Sequence, residues 1–174
     1  MATAVVPYMS VEEYLRTPYS PDVDYVDGAI EERNLGEFDH ADLQSELLVI
    51  LRTHSTEWNI RAVVECRVQV APTRFRVPDV CIMPASWKRT QIIRDAPLLC
   101  IEVLSPDDRK SRIFQRGKEF LAMGAREIWV FDPAKRVVHR MVGDTVTELR
   151  EGTLALAGTS TAFELEALFA VLDK

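Results

Sequence analysis

Two apolar runs of strand length flank a helical pattern in the second half of the chain. The first run, Leu-Leu-Cys-Ile-Glu-Val-Leu at residues 98–104, is apolar enough to be buried on both faces of a sheet. Ser105-Pro106-Asp107 then opens a predicted helix, and Gly124 closes it where a left-handed residue is needed. Residues 127–131 form the second buried strand. If the two strands are parallel neighbours, they form a right-handed crossover unit, which requires helices packed on a sheet.

The remaining patterns complete an α/β architecture. Ser10 and Glu13 have the spacing of a capping box at the start of a short helix, and Asp27-Gly28 marks a turn between two short strands. Further elements are predicted at residues 39–58 (helix), 62–70 and 75–83 (strands), 137–142 and 145–149 (a hairpin), and 165–172 (an amphipathic helix). We therefore expect a mixed β-sheet flanked by α-helices, with a C-terminal hairpin and helix, in one domain over residues 1–174.

The charge distribution is uneven. The net charge of the chain is −6, but residues 61–118 contain 12 basic and 6 acidic residues, and this segment is therefore net +6. An acidic protein with a basic middle can still present a local surface to phosphates. The alternative is that these basic side chains only solvate the edges of a sheet.

Several classes of protein and of site are excluded or disfavoured. No apolar stretch approaches the roughly 20 residues that span a bilayer, and the start MATAVVPYMS lacks the pattern of a secretory signal. We therefore expect a cytoplasmic protein without membrane association.

The three cysteines form no CxxC motif and lie in apolar runs, which favours buried free thiols. GxSxG, GxxxxGK[ST] and GxGxxG motifs are absent.

Asp79 and Glu102 are acids inside strand-like sequence. Pro78 removes a ladder donor, so the strand must lie at an edge or bulge beside Asp79. Glu102 interrupts an apolar run, where a lone buried carboxylate is costly unless it is paired or binds a cation. If the strands are neighbours, the two carboxylates converge and form a hard-oxygen site for Mg²⁺. The alternative is a structural ion pair with one of three nearby arginines: Arg67, Arg74 and Arg76.

An ordered set of motifs covers almost the whole chain. RVPDVCIM is followed by LLCIEVLSP and then by MGAREIWVFDP; MSVEEYL, DYVDG and DHADLQ precede this set, and FELEALFA follows it. Together they resemble the Uma family of putative restriction endonucleases, in the PD-(D/E)XK nuclease superfamily. The resemblance implies a restriction-endonuclease-like core and hydrolysis of DNA phosphodiester bonds with Mg²⁺ or Mn²⁺ as cofactor.

The resemblance also implies roles for single residues. Asp79 is the aspartate of the motif and Glu102 its second acid, so both are expected to bind the metal and to be catalytic. Glu46 is similar in place to the helix acid that many superfamily members add to the metal site, although helical spacing fits a solvated surface glutamate as well. Asp24, in the DYVDG motif, falls where family members often have glutamate, and we expect a minor role for it.

One departure concerns the superfamily's lysine, which would stand two residues after the second acid, where this chain has Leu104. The family commonly moves a basic residue to the following helix, within an Asp-x-x-x-Lys pattern whose positions here are Arg112 and Arg116. Arginine cannot act as a deprotonatable group but can hold a phosphate. Lys118 points roughly 200° around the helix from Arg116. The expected catalytic cation is therefore Arg116, or else Lys118, and the expected phosphate contacts are Arg109, Lys110 and Arg112.

Two functions follow. The first is a Mg²⁺-dependent endonuclease in which Asp79 and Glu102 hold a metal-activated water against the phosphodiester. The second is a catalytically impaired nuclease-fold module that binds nucleic acid or assembles with partners without cleavage; the missing lysine favours it. RNA or branched DNA as the substrate stays open. By analogy with the family we expect DNA as a partner and a homodimer, with the turn at Gly143-Asp144 or the C-terminal helix as the contact.

Overall fold

The computed structural model of the chain describes residues 8–34 and 36–173. Within them, the helices are α1 (Val11–Arg16), α2 (Phe38–Thr53), α3 (Lys110–Ala122) and α4 (Leu165–Phe169), the last followed by a 3₁₀ turn at Ala170–Asp173. The strands are β1 (Asp24–Val26), β2 (Ala29–Glu31), β3 (Ile60–Val64), β4 (Val68–Ala71), β5 (Arg74–Arg76), β6 (Val80–Pro84), β7 (Leu99–Val103), β8 (Glu127–Asp132), β9 (Val137–Val142), β10 (Thr145–Leu149), β11 (Thr153–Ala155) and β12 (Ala162–Glu164). The first seven residues, which enter the expectation that the chain has no secretory signal, lie outside the described residues.

A six-stranded mixed sheet forms the centre of the fold, in the order β10-β9-β8-β7-β6-β3. β7 and β8 are parallel, and the other neighbours are antiparallel. The predicted crossover is confirmed, because α3 connects the two parallel strands and packs on one face of the sheet. Helices α2 and α4 pack on the other face, where Leu47, Trp129 and Phe169 belong to one core cluster. The predicted mixed sheet flanked by helices is therefore confirmed.

A second, smaller sheet has the order β2-β1-β5-β4. The predicted hairpin around Asp27-Gly28 forms its outer half, and both turn residues have a positive φ. Helix α1 starts as expected, since the Ser10 side chain accepts a hydrogen bond from the backbone N–H of Glu13 at 3.1 Å. Tyr14 of α1 is fully buried and stacks on Tyr25 of β1. The start of the chain is thus tied to the small sheet.

Two predicted strands were wrong in the same way, because each one divides between the two sheets. The predicted strand 62–70 breaks at Glu65, whose φ of 49° lies in the left-handed region that ends a strand. The predicted strand 75–83 breaks around Pro78, which cannot donate to a ladder, and β5 and β6 lie on either side of it. The chain therefore crosses from the large sheet to the small sheet and back, and Asp79 lies where it returns.

Other differences are limited to the ends of elements. Helix α2 ends at Thr53, earlier than predicted. Helix α3 begins later than predicted, at Lys110. The residues before it form a turn, in which the Asp108 side chain accepts a hydrogen bond from the Ser105 backbone N–H at 2.7 Å. The two short strands β11 and β12 were not predicted. Cys81 and Cys100 are buried free thiols, as expected, whereas Cys66 is only half-buried. Among residues 8–34 and 36–173, no helix combines the length and apolar character needed to cross a membrane.

Candidate active site

Asp79 and Glu102 lie side by side at one end of the large sheet. β6 and β7 are antiparallel neighbours with Val80 opposite Ile101, so the next residue on each strand is one of the two acids. The two strand ends are also joined by a hydrogen bond from the backbone N–H of Val103 to Asp79 Oδ2 at 2.7 Å. Only 4% of the Asp79 side chain and 3% of the Glu102 side chain are exposed. The two strands are thus neighbours, which is the condition for convergence of the acids, and Asp79 lies near enough for its charge to raise the pKa of Glu102.

Asp79 is surrounded by donors from the segment that contains α2. Arg33 Nη2 donates to Asp79 Oδ1 at 2.7 Å, and His40 Nε2 donates to Oδ2 at 3.2 Å. Gln44 lies one helical turn after His40, on the same face, and donates to the Asp79 carbonyl at 3.0 Å. Burial raises the pKa of Asp79, but the hydrogen bond from His40 and the charge of Arg33 outweigh it and hold the pKa below its ordinary value. Asp79 is therefore an ionised, firmly oriented carboxylate.

Glu102 has a different environment. Strand alternation places it on the same face as Cys100, beneath α3. Arg116 Nη2 lies 3.1 Å from Glu102 Oε1, yet this buried oxygen has no hydrogen-bond partner among the described residues. Burial and, to a smaller extent, the nearby charge of Asp79 raise the pKa of Glu102 to about 8, against the opposing charge of Arg116. In the absence of a bound metal ion, Glu102 is therefore mostly protonated at neutral pH.

Arg116 extends from α3 between Glu102 and Asp24. Its Nε lies 3.2 Å from Asp24 Oδ2, and its Nη2 donates to the Val77 carbonyl at 3.0 Å. Asp24 is itself buried, accepts from the Val77 backbone N–H at 2.9 Å and lies 3.1 Å from Arg76 Nη1. Asp24, the first aspartate of DYVDG, thus helps to fix the position of Arg116. This structural role is larger than the minor role expected from the sequence.

Arg76 links this buried cluster to the surface. It donates to both carboxylate oxygens of Glu119 on α3, at 2.7 and 2.9 Å, and to Glu31 at 2.8 Å. The expected alternative, in which Arg76 neutralises one of the two strand acids, is therefore not observed. Arginines from other segments, Arg33 and Arg116, occupy that position instead.

Known proteins resemble the chain in sequence and in fold. The sequence profile of Uma2, described as a putative restriction endonuclease, matches residues 11–166. The chain belongs to the Uma2 family. No curated protein matches it.

A solved structure shares the fold of this Uma2 protein. A crystal structure of a putative nuclease belonging to DUF820 from Anabaena variabilis ATCC 29413 is 22% identical, with a TM-score of 0.83; the match covers 94% of this chain and 99% of that chain. A DrdV–DNA complex solved by cryo-electron microscopy is 12% identical with a TM-score of 0.36, over 78% of this chain and 13% of that chain, and this likeness is too low to support an argument. The chain thus has the fold of the putative nuclease from Anabaena variabilis, and the description of its own family as a putative restriction endonuclease agrees with a nuclease.

Two residues that the family resemblance implied lie away from the carboxylate pair of this Uma2 protein. Glu46 follows Gln44 by two residues, roughly 200° around α2, and it lines a groove with Ile50 and Phe163. His40 and Gln44 occupy the place on α2 that faces Asp79. Lys118 is exposed, whereas Arg116 on the same helix is buried against Glu102. The structure therefore brings together Asp79, Glu102 and Arg116 but not Glu46 or Lys118.

The residues expected to contact phosphate lie around the start of α3. Lys110 lines a cleft of about 280 Å³ that His40 also borders, and its Nζ lies 3.2 Å from Asp132 Oδ2 and 2.9 Å from His139 Nε2. Arg112 is half exposed and lies 3.4 Å from Glu31. Arg109 is exposed directly before α3.

The carboxylate pair offers the oxygen donors that hard divalent cations prefer. Among residues 8–34 and 36–173, no group of three or more His, Cys, Asp or Glu side chains could hold a metal ion. Mg²⁺, however, keeps several waters and is usually bound through only one or two carboxylates. Asp79 supplies one ionised carboxylate, and Glu102 supplies a buried oxygen that accepts no hydrogen bond within the described residues. Sequence reasoning missed Arg33, His40 and Gln44, for which no local pattern gives a signal beyond the DHADLQ motif itself.

Proposed function

We propose that this Uma2 protein hydrolyses DNA phosphodiester bonds and that Asp79 and Glu102 hold a divalent cation, Mg²⁺ or Mn²⁺. The observation that carries the proposal is the buried Oε1 of Glu102, which accepts no hydrogen bond within residues 8–34 and 36–173 although Arg116 Nη2 lies 3.1 Å away, and which lies near the ionised Asp79. A buried carboxylate oxygen that accepts no hydrogen bond is costly, and a metal ion bound to it would offset that cost. When bound, the cation supplies an acidified water and neutralises charge on the phosphodiester.

The side chains around the pair prepare it for this task. Arg33, His40 and the backbone N–H of Val103 hold Asp79 ionised and fixed in orientation. Because Glu102 must lose its proton before it binds a cation, we expect cation affinity to rise with pH up to about 8.

Arg116 supplies a permanent positive charge beside both acids. Its position is set by Asp24 and by the Val77 carbonyl, and a guanidinium stays charged at every relevant pH. A preoriented cation at this place favours the negative charge that develops on a phosphate in the transition state. This assigns to Arg116 the electrostatic role of the lysine that is absent at Leu104, but not the role of a proton acceptor.

The test is cleavage of supercoiled plasmid DNA with Mg²⁺ or Mn²⁺. We expect metal-dependent nicking by the wild type and its loss in Asp79→Asn and in Glu102→Gln. The matched control is Glu127→Gln, which removes a buried glutamate of the neighbouring strand β8 that pairs with Arg140 away from the site. Isothermal titration calorimetry should show that Glu102→Gln no longer binds Mg²⁺. Unchanged cleavage by this variant would remove Glu102 from the mechanism.

A second function is favoured by the ion pairs themselves. Each acid faces an arginine, at 2.7 Å for Arg33–Asp79 and 3.1 Å for Arg116–Glu102. These pairs compete with a cation, and together with Leu104 they favour a module that binds nucleic acid without cutting it. The same assays distinguish the two functions: retention of DNA with no metal-dependent nicking under any condition supports the second.

We also propose that the protein is a cytoplasmic homodimer. Cutting both strands of a duplex requires two cuts, which two copies can supply. The β9–β10 hairpin exposes Val142 and Val146, of which 43% and 45% are accessible, and is the candidate contact. The α4 helix is not, because Leu165, Leu168 and Phe169 are buried in the core. Sedimentation velocity of the wild type and of Val142→Lys measures the oligomeric state, and an unchanged dimer in the variant would exclude the hairpin.

A further inference from the structure

A groove of about 750 Å³ runs along the open edge of the large sheet. Strand β3 is the last strand of that sheet, and it contributes Arg61 and Val64 to the groove. Arg52 from α2 and the loop between β6 and β7, with Trp87 and Arg89, form the other walls. The groove is separate from the carboxylate pair and from the cleft beside Lys110.

The groove is locally basic in a chain whose net charge is −6. Its charged lining consists of Arg52, Arg61, Arg67, Arg89, Asp22 and Glu65. Arg67 is neutralised by Asp22, to which it donates three hydrogen bonds at 3.2, 2.9 and 2.7 Å. Within residues 8–34 and 36–173, Arg61 and Arg89 have no ion-pair partner, and both are exposed. Uncompensated guanidinium groups therefore face solvent in a concave surface.

One end of the groove lies at the end of β3 that is next to Asp79. Val64 is paired with Val80, the residue after Asp79, and the Glu65 backbone N–H donates to the Asp79 carbonyl at 3.4 Å. From Arg61 to Glu65 the strand rises about 13 Å, at roughly 3.3 Å for each residue. Arg61 therefore lies about 13 Å along this edge from Glu65, a length that allows contact with more than one phosphate.

We propose that this groove holds the sugar–phosphate backbone of the nucleic acid beside the carboxylate pair, and that Arg61 and Arg89 contact its phosphates. The proposal rests on the proposed function, since it assigns part of the surface that presents the substrate. Arginine suits this task because its planar guanidinium donates two hydrogen bonds to one phosphate. Charge complementarity and the direct connection to Asp79 favour nucleic acid over a protein strand paired with the open edge of β3.

The first experiment measures DNA binding without cleavage. Fluorescence anisotropy with a labelled duplex and with the corresponding single strand, in EDTA, compares the wild type with Arg61→Ala/Arg89→Ala. The matched control is Arg16→Ala/Arg150→Ala, which removes two exposed arginines, 80% and 63% accessible, from other surfaces. We expect the groove variant to bind both DNAs more weakly. The plot of log affinity against log salt should become shallower, its negative slope losing about two units of magnitude, close to one for each lost phosphate contact. The control should retain the wild-type affinity and slope.

The second experiment uses Cys66 as a reporter. Cys66 lines the groove and is half-buried, whereas Cys81 and Cys100 are fully buried. Burial raises the pKa of the Cys66 thiol, so alkylation by iodoacetamide is followed at alkaline pH. We expect saturating DNA to slow this alkylation several-fold in the wild type.

The outcomes separate this proposal from the proposed function. If Arg61→Ala/Arg89→Ala binds DNA like the wild type, or if Cys66 is alkylated at the same rate with DNA bound, the groove assignment is wrong, even where Glu102→Gln still abolishes nicking. If the wild type neither binds DNA in EDTA nor nicks it with Mg²⁺ or Mn²⁺, both proposals fail. If the groove variant keeps its DNA affinity but loses self-association in sedimentation velocity, the edge of β3 is a contact between copies and the proposal is overturned.

Discussion

Replacing Glu102 by glutamine should make the cation-free protein more resistant to unfolding at alkaline pH, although it removes one member of an ion pair. Glutamine keeps the shape of the side chain and carries no charge into a buried place. Arg116 retains two partners in the variant, Asp24 at 3.2 Å and the Val77 carbonyl at 3.0 Å. The substitution therefore removes the cost of an ionised Glu102 without leaving Arg116 unpaired.

The magnitude follows from the pKa of Glu102. Its value is about 8 in the folded protein and 4.5 in the unfolded chain, because burial disfavours the charged form. Between these values the folded protein holds a proton that the unfolded chain has lost, so the free energy of unfolding falls as the pH rises. The difference of about 3.5 corresponds to a loss of at most about 5 kcal/mol, at about 1.4 kcal/mol for each pKa unit. This loss is absent below about pH 4.5 and complete above about pH 8.

Urea unfolding in EDTA, at about pH 5 and about pH 9, measures this difference. The stability of Glu102→Gln relative to the wild type should increase by several kcal/mol between the two conditions. Glu127→Gln is the control, because Arg140 and Trp129 outweigh burial and lower the pKa of Glu127, so this residue is ionised in both states over the whole range. Its stability relative to the wild type should not change with pH. If the Glu102→Gln difference is equally flat, Glu102 is not the buried proton-binding group described above.

Three further perturbations have defined outcomes. Asp79→Ala should lower the free energy of unfolding by about 3–5 kcal/mol in urea titrations, since it leaves the largely buried Arg33 uncompensated; a loss below about 1 kcal/mol would show that this ion pair is solvated. Leu47→Ala should cost about 2–5 kcal/mol by the same measurement, because Leu47 is fully buried under the sheet; a smaller cost would mean that α2 is loosely packed. Lys118→Ala should leave plasmid nicking unchanged whereas Arg116→Ala abolishes it, and a reversal of these two results would give the catalytic charge to Lys118.

The strand acids were predictable because local sequence encodes their environment. Glu102 interrupts an apolar run, and β7 was predicted with nearly its observed bounds. Asp79 follows a proline, and the strand does break there. The partners of Asp79 were not predictable in this way, since Arg33, His40 and Gln44 lie 46, 39 and 35 residues before it in the chain. Contacts over such separations depend on how the segments pack and not on any local pattern.

Hydrophobic periodicity and turn chemistry act over a few residues, so the amino-acid sequence alone determined the crossover unit, the terminal hairpin and the two acids inside strand-like sequence. The tertiary structure decided which sheet each segment joins, since Glu65 and Pro78 divide strands that look continuous in sequence. It also decided which charges meet: Arg116 turns inward to Glu102, and Glu46 lies on another side of its helix. A helix face is defined only by what packs against it, and that packing brings together residues from across the whole chain.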